Sequence, residues 1–165
     1  MNRKSIVFST VIAGVIILVG VLLLQQTHAP RVSYTTIKGE RLSSDDLKGK
    51  VVLVNFWATD CPGCIREMPA LVATHHKYHE RGFETIAVAM SYDPPNYVVN
   101  FAEKNALPFK VVLDIKADIA RAFGGVTLTP TSFLLDKQGK VVHKILGEPD
   151  FAKLHQLIEK KMKES

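Results

Sequence analysis

Residues 51–57 read VVLVNFW, a charge-free run held between Lys50 and a cysteine pair, Cys61 and Cys64. Seven residues are too few for a stable helix, and the run lacks the alternation of a half-solvated strand. It has the pattern of a strand buried on both faces. Such a strand needs a covering layer above and below, and the chain supplies the first at once. Across residues 61–79, Ile65, Met68, Leu71, Val72 and His75 recur at three- and four-residue steps, the period of a helix with one apolar face. Arg81-Gly82 closes that helix, and FETIAVAMS, residues 83–91, reads as a second buried strand. Strand, helix and strand in so short a space imply a right-handed parallel crossover.

The remaining chain adds smaller units. Residues 25–34 read as a polar linker, 35–37 as an edge strand and 44–47 as a capped helical turn. A helix starts at Asp93-Pro94-Pro95 and runs to about residue 105, with Tyr97, Val98, Phe101 and Ala102 on its apolar face. Residues 109–113 form a strand, and 117–123 a short helix stopped by Gly124-Gly125. Residues 131–136 and 140–146 flank Lys137-Gln138-Gly139 and make an antiparallel hairpin. Asp150 caps a last helix whose apolar face holds Phe151, Leu154, Leu157 and Ile158. The fold class is α/β, a mixed sheet with flanking helices and a terminal hairpin covered by a helix.

Ahead of this domain, residues 6–24 run 19 residues without a charge. At 1.5 Å per residue they reach roughly 28 Å, the hydrocarbon thickness of a bilayer. A cleaved signal has a shorter apolar core, and the nearest small-x-small site, Thr27-His28-Ala29, is followed by Pro30. The segment reads as an uncleaved anchor, dividing the chain into an anchor with linker, residues 1–29, and a domain, residues 30–165. Arg3 and Lys4 precede the span and only Arg31 lies close behind it, which places the N-terminus in the cytoplasm and the domain outside. That space is oxidising. The formal charge is +5, of which Arg3 and Lys4 supply two. The other basic residues are scattered, so no nucleic-acid partner is expected.

The chain has two cysteines, and three uses compete for them. A structural disulfide closing so short a loop removes little unfolded-state entropy. Structural zinc needs four ligands, and there is no second cysteine pair. His75, His76 and His79 lie on the long helix, turns away from the thiols, so no metal site is expected. A redox dithiol fits best. Cys61 follows a strand and starts a helix, where unpaired N–H groups and the macrodipole favour the thiolate. Pro62 suits the first helical turn, Gly63 leaves the sulfur approachable, and Cys64 lies one turn on, within reach of Cys61. No haem-attachment C-x-x-C-H is present, because Ile65 follows Cys64, and no nucleotide motif is present. Ala58 stands three before Cys61, where a peroxidase would carry Thr.

WATDCPGC after VVLVNF, Pro69 five residues past Cys64, and TLTPTSFLLD together resemble the thioredoxin superfamily. LSSDDLKGKVVLVNFWAT and Arg66-Glu67-Met68-Pro69 bring the chain closest to its TlpA/ResA-like group, membrane-anchored extracytoplasmic thiol-disulfide oxidoreductases. Residues 94–113 are similar to the βα insertion that this group carries before its cis-proline. The resemblance implies a thioredoxin-like fold in which Cys61 attacks and Cys64 resolves. It also implies that Pro130 is the cis-proline and that Thr129 offers backbone groups to an extended substrate. Asn55 stands where small cytosolic thioredoxins carry a buried Asp. Glu67 resembles the group's active-site acid, with a raised pKa and a proton relay to Cys64 as its role. Trp57 walls the site or belongs to the core, and Pro69 kinks the helix. Asp60 replaces an aromatic residue common in the group. A carboxylate there disfavours the Cys61 thiolate and moves the couple towards reductant.

The expected function is a membrane-tethered reductase of extracytoplasmic protein disulfides, using no cofactor beyond the Cys61/Cys64 dithiol. Apocytochrome c is the substrate that the resemblance implies, and a membrane thiol-reductase is the electron donor. The alternatives are a disulfide donor running in the opposite direction and a Cu(I) chaperone for a respiratory oxidase, since thiolates suit Cu(I).

Overall fold

The computed structural model describes residues 28–164, so the apolar segment 6–24 lies outside the described residues. Among the described residues no helix is long and apolar enough to cross a membrane.

The run at 51–57 forms β3 (Val51–Trp57), with every residue buried. It lies at the centre of a five-stranded sheet, between β4 (Phe83–Ala89) and β6 (Thr131–Leu135). The outer strands are β5 (Lys110–Leu113) and β7 (Val141–Leu146), giving the order β5-β4-β3-β6-β7. The pairs β3/β4 and β4/β5 are parallel, and β3/β6 and β6/β7 antiparallel, as the crossover and the hairpin require.

The two faces of β3 enter two different cores. Val51, Leu53 and Trp57 point to one, which receives Met68, Leu71 and Tyr78 of α1 (Pro62–Tyr78). The same core takes Val98 and Ala102 of α2 (Pro95–Lys104) and Leu154 and Ile158 of α4 (Phe151–Lys163). Val52, Val54 and Phe56 point to the other, with Ile119 and Ala120 of α3 (Asp118–Ala122) and with Tyr34 and Leu42. Phe56, Phe123 and Phe133 meet there with centroids 5.0–5.9 Å apart. Each fully buried large side chain contributes roughly 1.5–3 kcal/mol.

Two local expectations are corrected. The edge strand foreseen at 35–37 is β1 (Ser33–Thr35), and it pairs with an unforeseen β2 (Arg41–Ser43) in a separate two-stranded sheet. Tyr97, assigned to the apolar face of α2, is 58 % exposed, because a single helix side cannot bury it together with Val98 and Ala102. The turn at 44–47 is the 3-10 segment Ser44–Leu47, capped by Ser43 with Asp46 reaching back. Helix α1 continues through Pro69 for its full length. Asp150 accepts from the backbone N–H of Lys153 and so caps α4.

Antiparallel pairing of β3 with β6 sets Phe56 opposite Thr131. The C-terminal end of β3 therefore meets the N-terminal end of β6, which brings the cysteine motif beside Pro130.

Candidate active site

Cys61 is the N-cap of α1, and its sulfur accepts from the backbone N–H of Cys64 at 3.2 Å. Pro62 occupies the first helical turn, where a missing N–H costs no hydrogen bond. Cys61 and Cys64 are joined in a disulfide, with Cα atoms 5.3 Å apart. The two differ in access. Cys61 retains 9 % of its surface and Cys64 none, so an incoming sulfur meets Cys61 first.

The Thr129–Pro130 peptide bond is cis. Pro130 packs on the cysteine turn so closely that a Cβ on Gly63 would stand 3.3 Å from Pro130 Cδ and 3.3 Å from Glu148 Oε1. Glu148 is held over this turn by Arg66, whose Nε donates to Oε1 at 3.2 Å. Pro130 gives its carbonyl to Gly147 N–H at 2.8 Å. The backbone of Thr129 takes no hydrogen bond from any described residue, since pairing of β6 begins at Thr131. Its hydroxyl lies 3.3 Å from Tyr92 Oη. Tyr92 and Leu128 are more than half exposed and form an apolar rim beside this backbone.

Glu67 lies one turn past Cys64 on the buried face of α1 and is 2 % exposed. Asn55 Nδ2 donates to Glu67 Oε1 at 2.8 Å and to Ser132 Oγ at 3.0 Å. Glu67 Oε2 and Asn55 Oδ1 are buried without partners. Burial pushes the Glu67 pKa up to about 7; the Asn55 bond opposes this and the Glu148 charge adds to it. A carboxyl group in this state exchanges a proton near neutral pH.

Of the two places the sequence offered Trp57, site wall or core, the structure has it in the core. It is fully buried, with its ring 5.3 Å from that of Phe101, and supports the site from beneath. Asp60 is exposed immediately before Cys61. Sequence reasoning missed Asp93. Its buried carboxylate accepts from Thr59 N–H and Thr59 Oγ1, both at 2.6 Å, and so ties down the loop that delivers Cys61. The signal was available in the position of Asp93 just past β4, which runs parallel to β3. Glu148 and Ser132 were also missed, and for them no local pattern exists.

The family model described as Redoxin matches residues 25–158. A thiol-disulfide oxidoreductase ResA of Bacillus thuringiensis subsp. konkukian is 38 % identical over 134 residues, covering 81 % of this chain and 76 % of the relative. The ResA of Geobacillus thermodenitrificans is 38 % identical over 119 residues, covering 72 % and 67 %. Among solved structures, a thioredoxin-family thiol:disulfide interchange protein from Chlorobium tepidum superposes with a TM-score of 0.76 at 32 % identity, covering 84 % of this chain and 97 % of that one. StoA from Bacillus subtilis gives a TM-score of 0.67 at 26 % identity, covering 81 % and 96 %. With its cysteine pair bonded at a helix start, the chain belongs to the Redoxin family, as a thiol-disulfide oxidoreductase of the ResA-like kind.

Proposed function

We infer that the protein is a membrane-tethered reductase of extracytoplasmic protein disulfides. The observation that carries this reading is the unequal access of the two sulfurs beside the unpaired Thr129 backbone. An extended substrate segment lies along Thr129, with Tyr92 and Leu128 against its side chains, and presents a disulfide to Cys61. The Cys61 thiolate attacks one substrate sulfur. This forms a mixed disulfide and expels the other substrate sulfur as a thiolate. Cys64, having given its proton to Glu67, attacks Cys61 Sγ. The Cys61–Cys64 disulfide forms and the second substrate sulfur leaves, so two electrons have passed to substrate. The Cys61–Cys64 disulfide is the product of that reaction. A membrane dithiol donor then returns the two electrons, and no further cofactor takes part.

The reductive direction rests on Asp60, whose charge beside Cys61 disfavours the thiolate. The apolar run at 6–24 supports tethering, and Arg3 and Lys4 support an outward-facing domain. Proteins awaiting reduced cysteines in that oxidising space are the substrate class, with apocytochrome c the candidate that family membership favours.

The test is a trap. In Cys64→Ser the mixed disulfide on Cys61 has no resolving partner. Expressed in the native cell, the variant should accumulate disulfide-linked extracytoplasmic proteins, apocytochrome c among them. Capture of copper proteins alone, or of nothing, would overturn the reading. A reduction potential nearer about −120 mV than −270 mV would reverse its direction.

A further inference from the structure

A second cluster of chemistry-bearing side chains lies at the other end of α1, about 25 Å from the dithiol by the helical rise. His75 is buried on the last turn of α1, and His79 follows four residues later, at its C-cap. Their rings stack with centroids 4.5 Å apart and planes inclined by 29°. Both direct Nδ1 at one oxygen of Glu84, which enters from β4 and is 1 % exposed. His75 Nδ1 is 4.0 Å and His79 Nδ1 3.9 Å from Glu84 Oε1. One ligand atom from each of the three residues falls within 4.8 Å of the other two.

We propose that His75 Nδ1, His79 Nδ1 and Glu84 Oε1 bind one divalent transition-metal ion of the zinc type.

Three observations carry this. His79 Nδ1 is a buried polar atom with no hydrogen-bond partner, and it faces a carboxylate oxygen. The separations to Glu84 Oε1 are too long for hydrogen bonds and slightly longer than those around a bound ion. Bonds of about 2.0–2.2 Å to a tetrahedral zinc place donors about 3.4 Å apart, so each imidazole nitrogen has to close on Glu84 Oε1 by about half an ångström, and His75 Nδ1 has to turn from Thr85 Oγ1, which lies 3.4 Å away. His79 and Glu84 also line a cavity of about 410 Å³ bounded by Glu40, Leu107 and Phe109, from which water can supply the fourth ligand.

The two oxygens of Glu84 are divided between duties. Lys110 Nζ at 3.3 Å and Lys50 Nζ at 3.8 Å approach Oε2, while Oε1 faces the histidines and accepts Thr85 N–H at 3.1 Å. The lysines lower the affinity for a dication, but they hold the carboxylate in place and leave Oε1 in position. Two imidazoles and one carboxylate suit zinc, cobalt, nickel or copper(II), whereas magnesium and calcium require more oxygens. Helix spacing alone brings the two histidines together, and the third donor comes from a strand. Two of the three donors were therefore legible in the chain, and only the fold supplies Glu84.

The test uses the full chain in detergent, without a polyhistidine tag and with the dithiol oxidised, so that neither sulfur can act as a thiolate ligand. Titration with Zn²⁺ should show one saturable site, competed by Co²⁺ with the intense visible absorption of a four-coordinate ion. Mg²⁺ should not compete. His79→Ala, at a half-exposed position, should weaken Zn²⁺ binding at least tenfold with the far-ultraviolet circular dichroism unchanged. On the unaltered chain, saturating Zn²⁺ should shift the imidazole nitrogen resonances of His75 and His79. Absence of a saturable site would overturn the proposal. Equal affinity in His79→Ala would also overturn it, as would shifts confined to His28, His76, His143 or His155.

Discussion

Asn55 on β3 donates its side-chain amide to Glu67 on α1 at 2.8 Å, inside the core and one helical turn from Cys64. A hydrogen bond to one carboxylate oxygen favours the charged form, and burial favours the neutral one. Burial wins, leaving the Glu67 pKa at about 7. Glu67 therefore exchanges its proton near neutral pH.

Glu67 should make stability depend on pH. Its folded pKa lies above the ordinary value of 4.5, so the native state holds the proton more tightly than the unfolded chain. The resulting stabilisation is fully present below about pH 4.5 and is lost as pH rises through about 7, a change of roughly 3 kcal/mol. Urea denaturation of the oxidised protein at pH 5 and pH 8 should show this loss in the wild type. Glu67→Gln should abolish that component.

Removing the same carboxyl should slow resolution of the mixed disulfide. Glu67→Gln cannot accept a proton from Cys64, and single-turnover reduction of a disulfide peptide should fall about 10- to 100-fold at neutral pH. The inflection near pH 7 should vanish from the rate profile. Asn55→Ala removes the bond that favours the carboxylate, so there the inflection should move upwards instead.

Asp93 holds Thr59 with two hydrogen bonds to a buried carboxylate. Bonds to charged groups contribute about 1.5–3 kcal/mol each, and loss of both is partly relieved by water. Asp93→Ala should lower the unfolding free energy by about 2–4 kcal/mol, read from the shift in the urea midpoint. The reduction potential should also change, because the loop leading to Cys61 is released.

Asp60→Asn removes a negative charge from the residue before Cys61. The thiolate becomes easier to form, and the potential should rise by about 10–30 mV in glutathione redox buffers. Because Asp60 is exposed, the difference should shrink as salt is added.

Much of this architecture was legible in the chain, and the reasons are physical. β3 and β4 announce themselves because each is buried along its length, and α1 because its buried residues recur at helical steps. Cys61 and Cys64 were legible because strand, proline and helix start fix where the sulfurs sit. The three-residue strands β1 and β2 offer too few positions for any period to emerge. Glu84 sits inside the apolar run FETIAVAMS, where its partners Lys50, Lys110 and the pair His75 and His79 arrive from three other places in the chain. Asp93 looked like the opening of a helix, while its carboxylate works backwards, on the loop before Cys61. The Asn55–Glu67 pair joins two elements whose relative register only packing decides.

Phe56 and Thr131 face one another across β3 and β6. Strands running in opposite senses bring one strand's finish to the other's start, so the sulfurs and the cis Thr129–Pro130 bond coincide without help from the intervening chain. β5, at the sheet's margin, lies two strands away from that meeting point. A lineage could remodel which proteins dock here while leaving the electron-carrying bond in place.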